Sequence, residues 1–154
     1  MKIIHLMTRH VPSSPGVIVL LVLLTACART PDETAIRDTI AAMVQAVETK
    51  DNRGFLVHVT DGYRDHESRD RNGLRQLLLA NFMQHQGIKV FVTNTNIELR
   101  DGKAEVRFHA QLTSGEQLLA DRRFGSYRVR TLWRRDGGDW QVYQAEWEAL
   151  PAGP

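Results

Sequence analysis

The sequence predicts an α+β domain, three helices followed by a four-stranded antiparallel sheet. Apolar residues recur at helical spacing through 31–86 and at alternate positions from Ile88 onward. Asp101-Gly102, a strong two-residue hairpin signal, and Asp136-Gly137-Gly138 then break the alternating half into strands. Helices followed by strands place the helices on one face of the sheet.

The first helix is expected over 31–49. Thr30 is placed to cap it, Pro31 suits its first position, and Glu33 completes a capping box. Ile36, Ile40, Met43, Val44 and Val47 form its apolar face, and Asp32 and Glu33 favour the positive end of its dipole. A shorter second helix starts from a cap at Asp51 or Asn52, carries Phe55, Leu56 and Val59, and ends at Asp61-Gly62. Residues 63–70 are polar and read as a loop. A third helix covers 71–86, with Leu74, Leu77, Leu78 and Phe82 on one face and Gly87 as its stop.

Ile88, Val90 and Val92 alternate in one phase and Ile97 and Leu99 in the other, which predicts a bulge near 93–96. Ala104, Val106, Phe108, Ala110 and Leu112 face the core from the second strand, and a loop around Ser114-Gly115 follows. Tyr127, Val129 and Trp133 mark a third strand over 124–134, and a fourth covers 140–147.

Ahead of this domain stands a secretory leader. Lys2 and Arg9 precede an unbroken apolar run over 17–24, and Thr25-Ala26-Cys27 closes it. The run is shorter than the roughly 20 residues that cross a bilayer. The chain divides into a signal peptide over 1–26, a tether over 27–30, a domain over 31–150 and a tail over 151–154. Met1 or Met7 can serve as the start. The single cysteine excludes an internal disulfide. The chain has 20 basic and 18 acidic residues; Lys2 and Arg9 lie in the leader, so the mature part is balanced at 18 against 18. That balance removes the basic signature of nucleic-acid binders and any overall attraction to anionic lipid.

Leu24-Thr25-Ala26-Cys27 resembles the lipobox of bacterial lipoproteins. The resemblance implies cleavage before Cys27 and acylation of its thiol, with Leu24, Thr25 and Ala26 as the cleavage signal. More than one acyl chain is needed for stable anchoring, and a lipoprotein cysteine carries two or three. Ala28 in place of Asp implies, by the same resemblance, the periplasmic face of the outer membrane. The alternatives are an uncleaved signal anchor and plain secretion. The domain itself, through residues 34–50, 53–65, 74–85, 105–112 and 139–147 and the late Trp140-Gln141-Val142, resembles the nuclear transport factor 2-like superfamily. That resemblance implies a cone with a strongly curved sheet and an internal pocket. The superfamily holds isomerases, polyketide cyclases, dehydratases, ligand binders and toxin-immunity proteins, so fold alone does not give function.

The pocket residues expected on this basis are Phe55, Val59, Tyr63, Phe82, His85, Phe108, Trp133 and Glu146. Glu146 shares phase with Trp140 and Val142 and reads either as an inward acid or as a solvated strand-end residue. His85 reads either as pocket lining or as a favourable helix C-terminal charge. Tyr63, Asp65 and His66 read either as a proton-transfer cluster or as part of a self-compensating polar loop. Arg128, Arg130 and Arg134 share a strand face; with Tyr143 and Trp147, the first two are expected at an outer-face interface, with a homodimer as one occupant. His58 and His109 lack metal-ligand spacing. Nucleophile elbows, phosphate loops and zinc motifs are absent from the sequence. No catalytic residue, metal or cofactor is therefore assigned. The leading expectation is a membrane-tethered, non-catalytic module that binds a small apolar molecule or a protein, toxin immunity being one version. The alternatives are an isomerase-, cyclase- or hydrolase-like enzyme of the same fold, and a structural component of the envelope.

Overall fold

The computed structural model describes residues 31–114 and 123–151. The leader, Cys27, the cap expected at Thr30, Gly115 and residues 152–154 lie outside them. Helix α1, Pro31–Glu48, buries Ile36, Ile40 and Ala46. Lys50, at φ 57°, turns the chain, and Asp51 caps α2, Asn52–Leu56, by accepting from the Gly54 N–H at 2.8 Å. Asp70 caps α3, Arg71–Gln84, in the same way through the Gly73 N–H at 2.8 Å. The chain leaves α3 at His85, which is already extended at φ −119° and ψ 123°. Gly87 is not in the left-handed region, so it is not the stop that its position suggests.

The sheet has five strands rather than four, and it is mixed rather than wholly antiparallel. Strands β1 (Val59–Asp65), β2 (Ile88–Arg100), β3 (Lys103–Ser114), β4 (Arg123–Asp136) and β5 (Asp139–Ala149) lie in the order β1-β5-β4-β3-β2. Strand β1 runs parallel to β5, and the other pairs are antiparallel. The second helix therefore ends at Leu56, Val59 is a strand residue, and Tyr63 is not in a loop. The reason is physical. Phe55, Leu56 and Val59 are spaced as on a helix, and β1 hides its own alternation behind a register shift between Val59 and Arg64. Its conformation comes from pairing with a strand some 80 residues away, which the local pattern does not carry.

Two irregularities shape the sheet. In β2 the register shifts between Thr93 and Asn96, where Asn94 sits at φ 54°, as the phase change predicts. In β5, Val142 pairs with Trp133 and Gln144 with Leu132, leaving Tyr143 as the extra residue of a bulge. Bulges bend a strand and increase its twist, and this sheet curves around α1. Asp101 at φ 48° and Gly102 at φ 72° make the tight turn between β2 and β3. The core joins Ile36, Leu56, Tyr63, Leu74, Val106, Trp133, Trp140 and Val142. Among the described residues, no helix is long and apolar enough to cross a membrane.

Candidate functional site

A cavity of about 190 Å³ lies between α1 and the sheet. Ile40, Met43, Val44 and Val47 line it from α1, and Val90, Val92, Phe108, Ala110, Val129, Trp133 and Val142 from the sheet. Ile40, Val59, Tyr63, Trp133 and Val142 are buried at its floor, whereas Met43, Val47, Val92, Phe108 and Trp147 are half-buried. Its mouth therefore lies toward the C-terminal end of α1.

Of the residues expected at a pocket, Phe55, Val59, Tyr63, Phe108 and Trp133 line the cavity. Phe82, His85 and Glu146 do not. Phe82 is buried in α3, where its carbonyl accepts from Lys50 Nζ at 2.9 Å. His85 stands at the C-terminal cap of α3, its N–H donating to the Asn81 carbonyl at 3.1 Å. Glu146 lies on the opposite sheet face, where it accepts from Arg130 Nη1 at 3.3 Å and Gln144 Nε2 at 3.2 Å. The Tyr143 bulge explains the last case. It breaks the alternation, so Trp140 and Val142 point inward before it and Ala145 and Trp147 after it. The same bulge turns Trp147, expected at an outer interface, into a cavity wall. Strict period-two reading cannot see this, although the Ala145–Trp147 spacing was an available signal.

The outer face carries the arginines. Arg130 grips Glu105 in a fork, Nε to Oε1 at 2.7 Å and Nη2 to Oε2 at 3.1 Å. This pairing raises the guanidinium pKa and holds the Glu105 carboxyl below its ordinary range. Arg128 pairs with Glu148 at 3.1 Å. Tyr143 lies under the Arg134 guanidinium, 5.7 Å from its carbon. Arg128 and Arg130 are thus neutralised across strands rather than gathered into one positive groove.

The cavity surface is apolar, and the two hydroxyls carried by its lining residues do not open onto it. Thr131 accepts from Trp133 Nε1 at 2.7 Å and donates to the Val106 carbonyl at 3.4 Å. Tyr63 is 1% exposed. Burial, and next the nearby Asp65 charge, push its phenol far above the ordinary value, so it remains a neutral donor. Among the described residues, the lining contains no carboxylate or imidazole. Asp65 itself is fully buried but serves the loop after β1. It accepts from the N–H groups of Glu67 and Arg69 at 2.9 Å and from Arg69 Nε at 2.8 Å. Burial pushes its carboxyl up, but Arg69 and the two N–H groups together outweigh that and hold it down. The loop then clamps a cavity wall. The His66 ring meets Trp147 edge-on at 4.6 Å and 87°, and the Arg69 guanidinium lies 5.3 Å from the Trp147 ring centre. Among the described residues, no group of three or more His, Cys, Asp or Glu side chains is placed to hold a metal.

Solved structures share this architecture. A Nostoc punctiforme protein of unknown function with a cystatin-like fold is 19% identical at a TM-score of 0.69, covering 82% of this chain and 96% of that one. An NTF2-like protein of unknown function from Pseudomonas putida is 19% identical at a TM-score of 0.68, over 83% and 100%. A candidate dehydratase of the NTF2-like family from Streptomyces avermitilis is 16% identical at a TM-score of 0.65, over 80% and 100%. Identities this low establish the fold alone. No curated protein sequence matches the chain. Residues 28–145 match the SnoaL-like domain, a family that includes ligand binders and enzymes. By that match, the chain belongs to the SnoaL-like domain family.

Proposed function

We propose that this protein is a lipid-anchored periplasmic module whose SnoaL-like domain binds a small, neutral, apolar molecule without transforming it. The observation that carries this reading is the cavity, lined by aliphatic and aromatic side chains that expose only apolar surface to it. A space of about 190 Å³ lined by apolar side chains offers a ligand the dispersion contacts that the lining otherwise lacks. Cavities of roughly 150 Å³ accept benzene, whereas drug-sized ligands occupy about 300–1,000 Å³. The size favours one ring or a short acyl chain over a polycycle. A charged ligand would lose its hydration with no countercharge in the lining.

The test is calorimetry on the full chain with benzene and phenol as probes. Both should bind, and Ala110→Leu, which fills the cavity, should abolish both. Phenol should bind more weakly than benzene, because its hydroxyl loses its hydration with no polar partner in the lining. No binding by the unmodified chain, or equal binding by Ala110→Leu, rejects the reading. A second reading has one observation in its favour: Tyr63, a buried neutral phenol, is among the residues around the apolar cavity, and acid catalysis on a carbonyl needs a proton donor there. Turnover of a phenol- or ketone-sized substrate that disappears in Tyr63→Phe would establish it.

A further inference from the structure

The balanced charge of the mature chain conceals a local excess. Arg71, Arg75, Leu79 and Met83 follow one another at intervals of four along α3 and so share a stripe. Arg53 and Val57, also four apart, lie beside it at α2. Asn52 Nδ2 donates to the Arg75 carbonyl at 3.0 Å, and Arg71 donates to the carbonyls of Leu56 at 2.9 Å and Val59 at 3.1 Å, so the two helices present one rigid face. Its apolar members are open to solvent: Met83 is 83% exposed, Val57 52% and Leu79 40%. Arg64 extends the cationic side. Four arginines thus face three local acids; Asp51 and Asp70 are committed to capping α2 and α3, and Asp61 pairs with Arg71 at 3.7 Å, which leaves, among the described residues, Arg53, Arg64 and Arg75 as the cations without an acidic side chain of their own on this face.

The position of this face matters as much as its charge. Val57 lines one crevice with Arg53, Arg75 and Leu79 and another with Ala35 and Thr39 of α1. The face therefore adjoins the start of α1, one helical turn from Pro31. Cys27 stands four residues before Pro31, a reach of at most about 14 Å. Exposed apolar side chains beside arginines suit an interface of acyl chains and phosphates, where guanidinium groups extend to the headgroups. From these observations we infer that the α2–α3 face docks on an anionic phospholipid surface, seating the domain on the membrane to which its N-terminus leads. The inference rests on the membrane-tethered reading for its geometry, but the docking itself is measured separately.

The experiment uses the full chain reconstituted into vesicles, held there by its N-terminal segment whether that segment is acylated or uncleaved. Met83→Cys is labelled with an environment-sensitive nitrobenzoxadiazole dye, Thr93→Cys on β2, at the other edge of the sheet, serves as the reference, and where Cys27 is not acylated both carry Cys27→Ser so that the dye meets a single thiol. On vesicles of phosphatidylcholine with one-third phosphatidylglycerol, the Met83→Cys label should shift to the blue and be quenched by doxyl-labelled lipid, while the Thr93→Cys label stays aqueous. Each arginine near an anionic surface is worth about fivefold; Arg53→Gln with Arg75→Gln should therefore reduce the docked fraction, expressed as an equilibrium constant, about 25-fold. An aqueous spectrum at Met83→Cys overturns the inference. So does an equal response on phosphatidylcholine alone, an equal response at Thr93→Cys, or a shift that appears only when envelope protein is added, which would assign the face to a protein partner. Failure of the chain to remain on any vesicle instead rejects the tether, and mass spectrometry of residue 27 identifies that case.

Discussion

Asp65 shows how a residue suggestive of catalysis becomes architecture. Its carboxylate is spent on two backbone N–H groups and one guanidinium, all inside the loop that supports Trp147. Removing one partner of a buried pair leaves the other uncompensated, so Asp65→Ala should destabilise the domain by about 3 kcal/mol, measured by urea denaturation at pH 7. The pH dependence follows from the direction of its shift. The folded carboxyl has a lower pKa than the unfolded value of about 3.9, so its contribution is present above that value and is lost as pH falls through the folded pKa. Stability of the unmodified chain should therefore drop below about pH 4, and the Asp65→Ala chain should show a shallower acid limb. Tyr63, two residues earlier, has a different fate, its buried ring forming part of the cavity lining.

At the scale of the element, the bulges decide what each strand presents. In β2, Asn94 occupies the left-handed region at φ 54°, where a β-branched side chain meets its own backbone. Asn94→Val should cost about 1–2 kcal/mol, whereas Asn94→Gly should be close to neutral; thermal unfolding of the two variants checks the pair. Helices α1 and α3, the start of α2 and the first hairpin were legible because their signals are local. The apolar spacing of α1, the cap at Asp51 or Asn52, which the structure resolves to Asp51, and the Asp101-Gly102 turn all act within a few residues of themselves. The β5 bulge was not legible, and Glu146 and Trp147 exchanged faces with it. Period-two inference assumes an unbroken pleat, and one extra residue reverses every assignment beyond it.

For the whole molecule, the fold separates its surfaces by chemistry. The cavity is apolar, the outer sheet face carries paired Arg and Glu across strands, and the α2–α3 face joins arginines to exposed apolar side chains. The proposed anchor belongs at this scale too. Palmitate supplied to bacteria expressing the chain should label it, and Cys27→Ser should abolish the label; an unlabelled parent chain would reject acylation.

The sequence by itself determined the α+β class, the extents of α1 and α3 to within two residues, the hairpin at Asp101-Gly102 and the bend in β2. Each is encoded in the spacing of apolar residues or the backbone preference of one or two positions. It also contained five of the cavity residues, since Phe55, Val59, Tyr63, Phe108 and Trp133 are large or β-branched groups that an amphipathic element turns inward. Only the tertiary structure decided that residues 59–65 form a strand, that Trp147 faces the cavity and Glu146 does not, and that arginines from α2, β1 and α3 converge on one face. Those outcomes depend on hydrogen bonds and packing between segments far apart in the chain, and such contacts leave no periodic trace in the residues that make them.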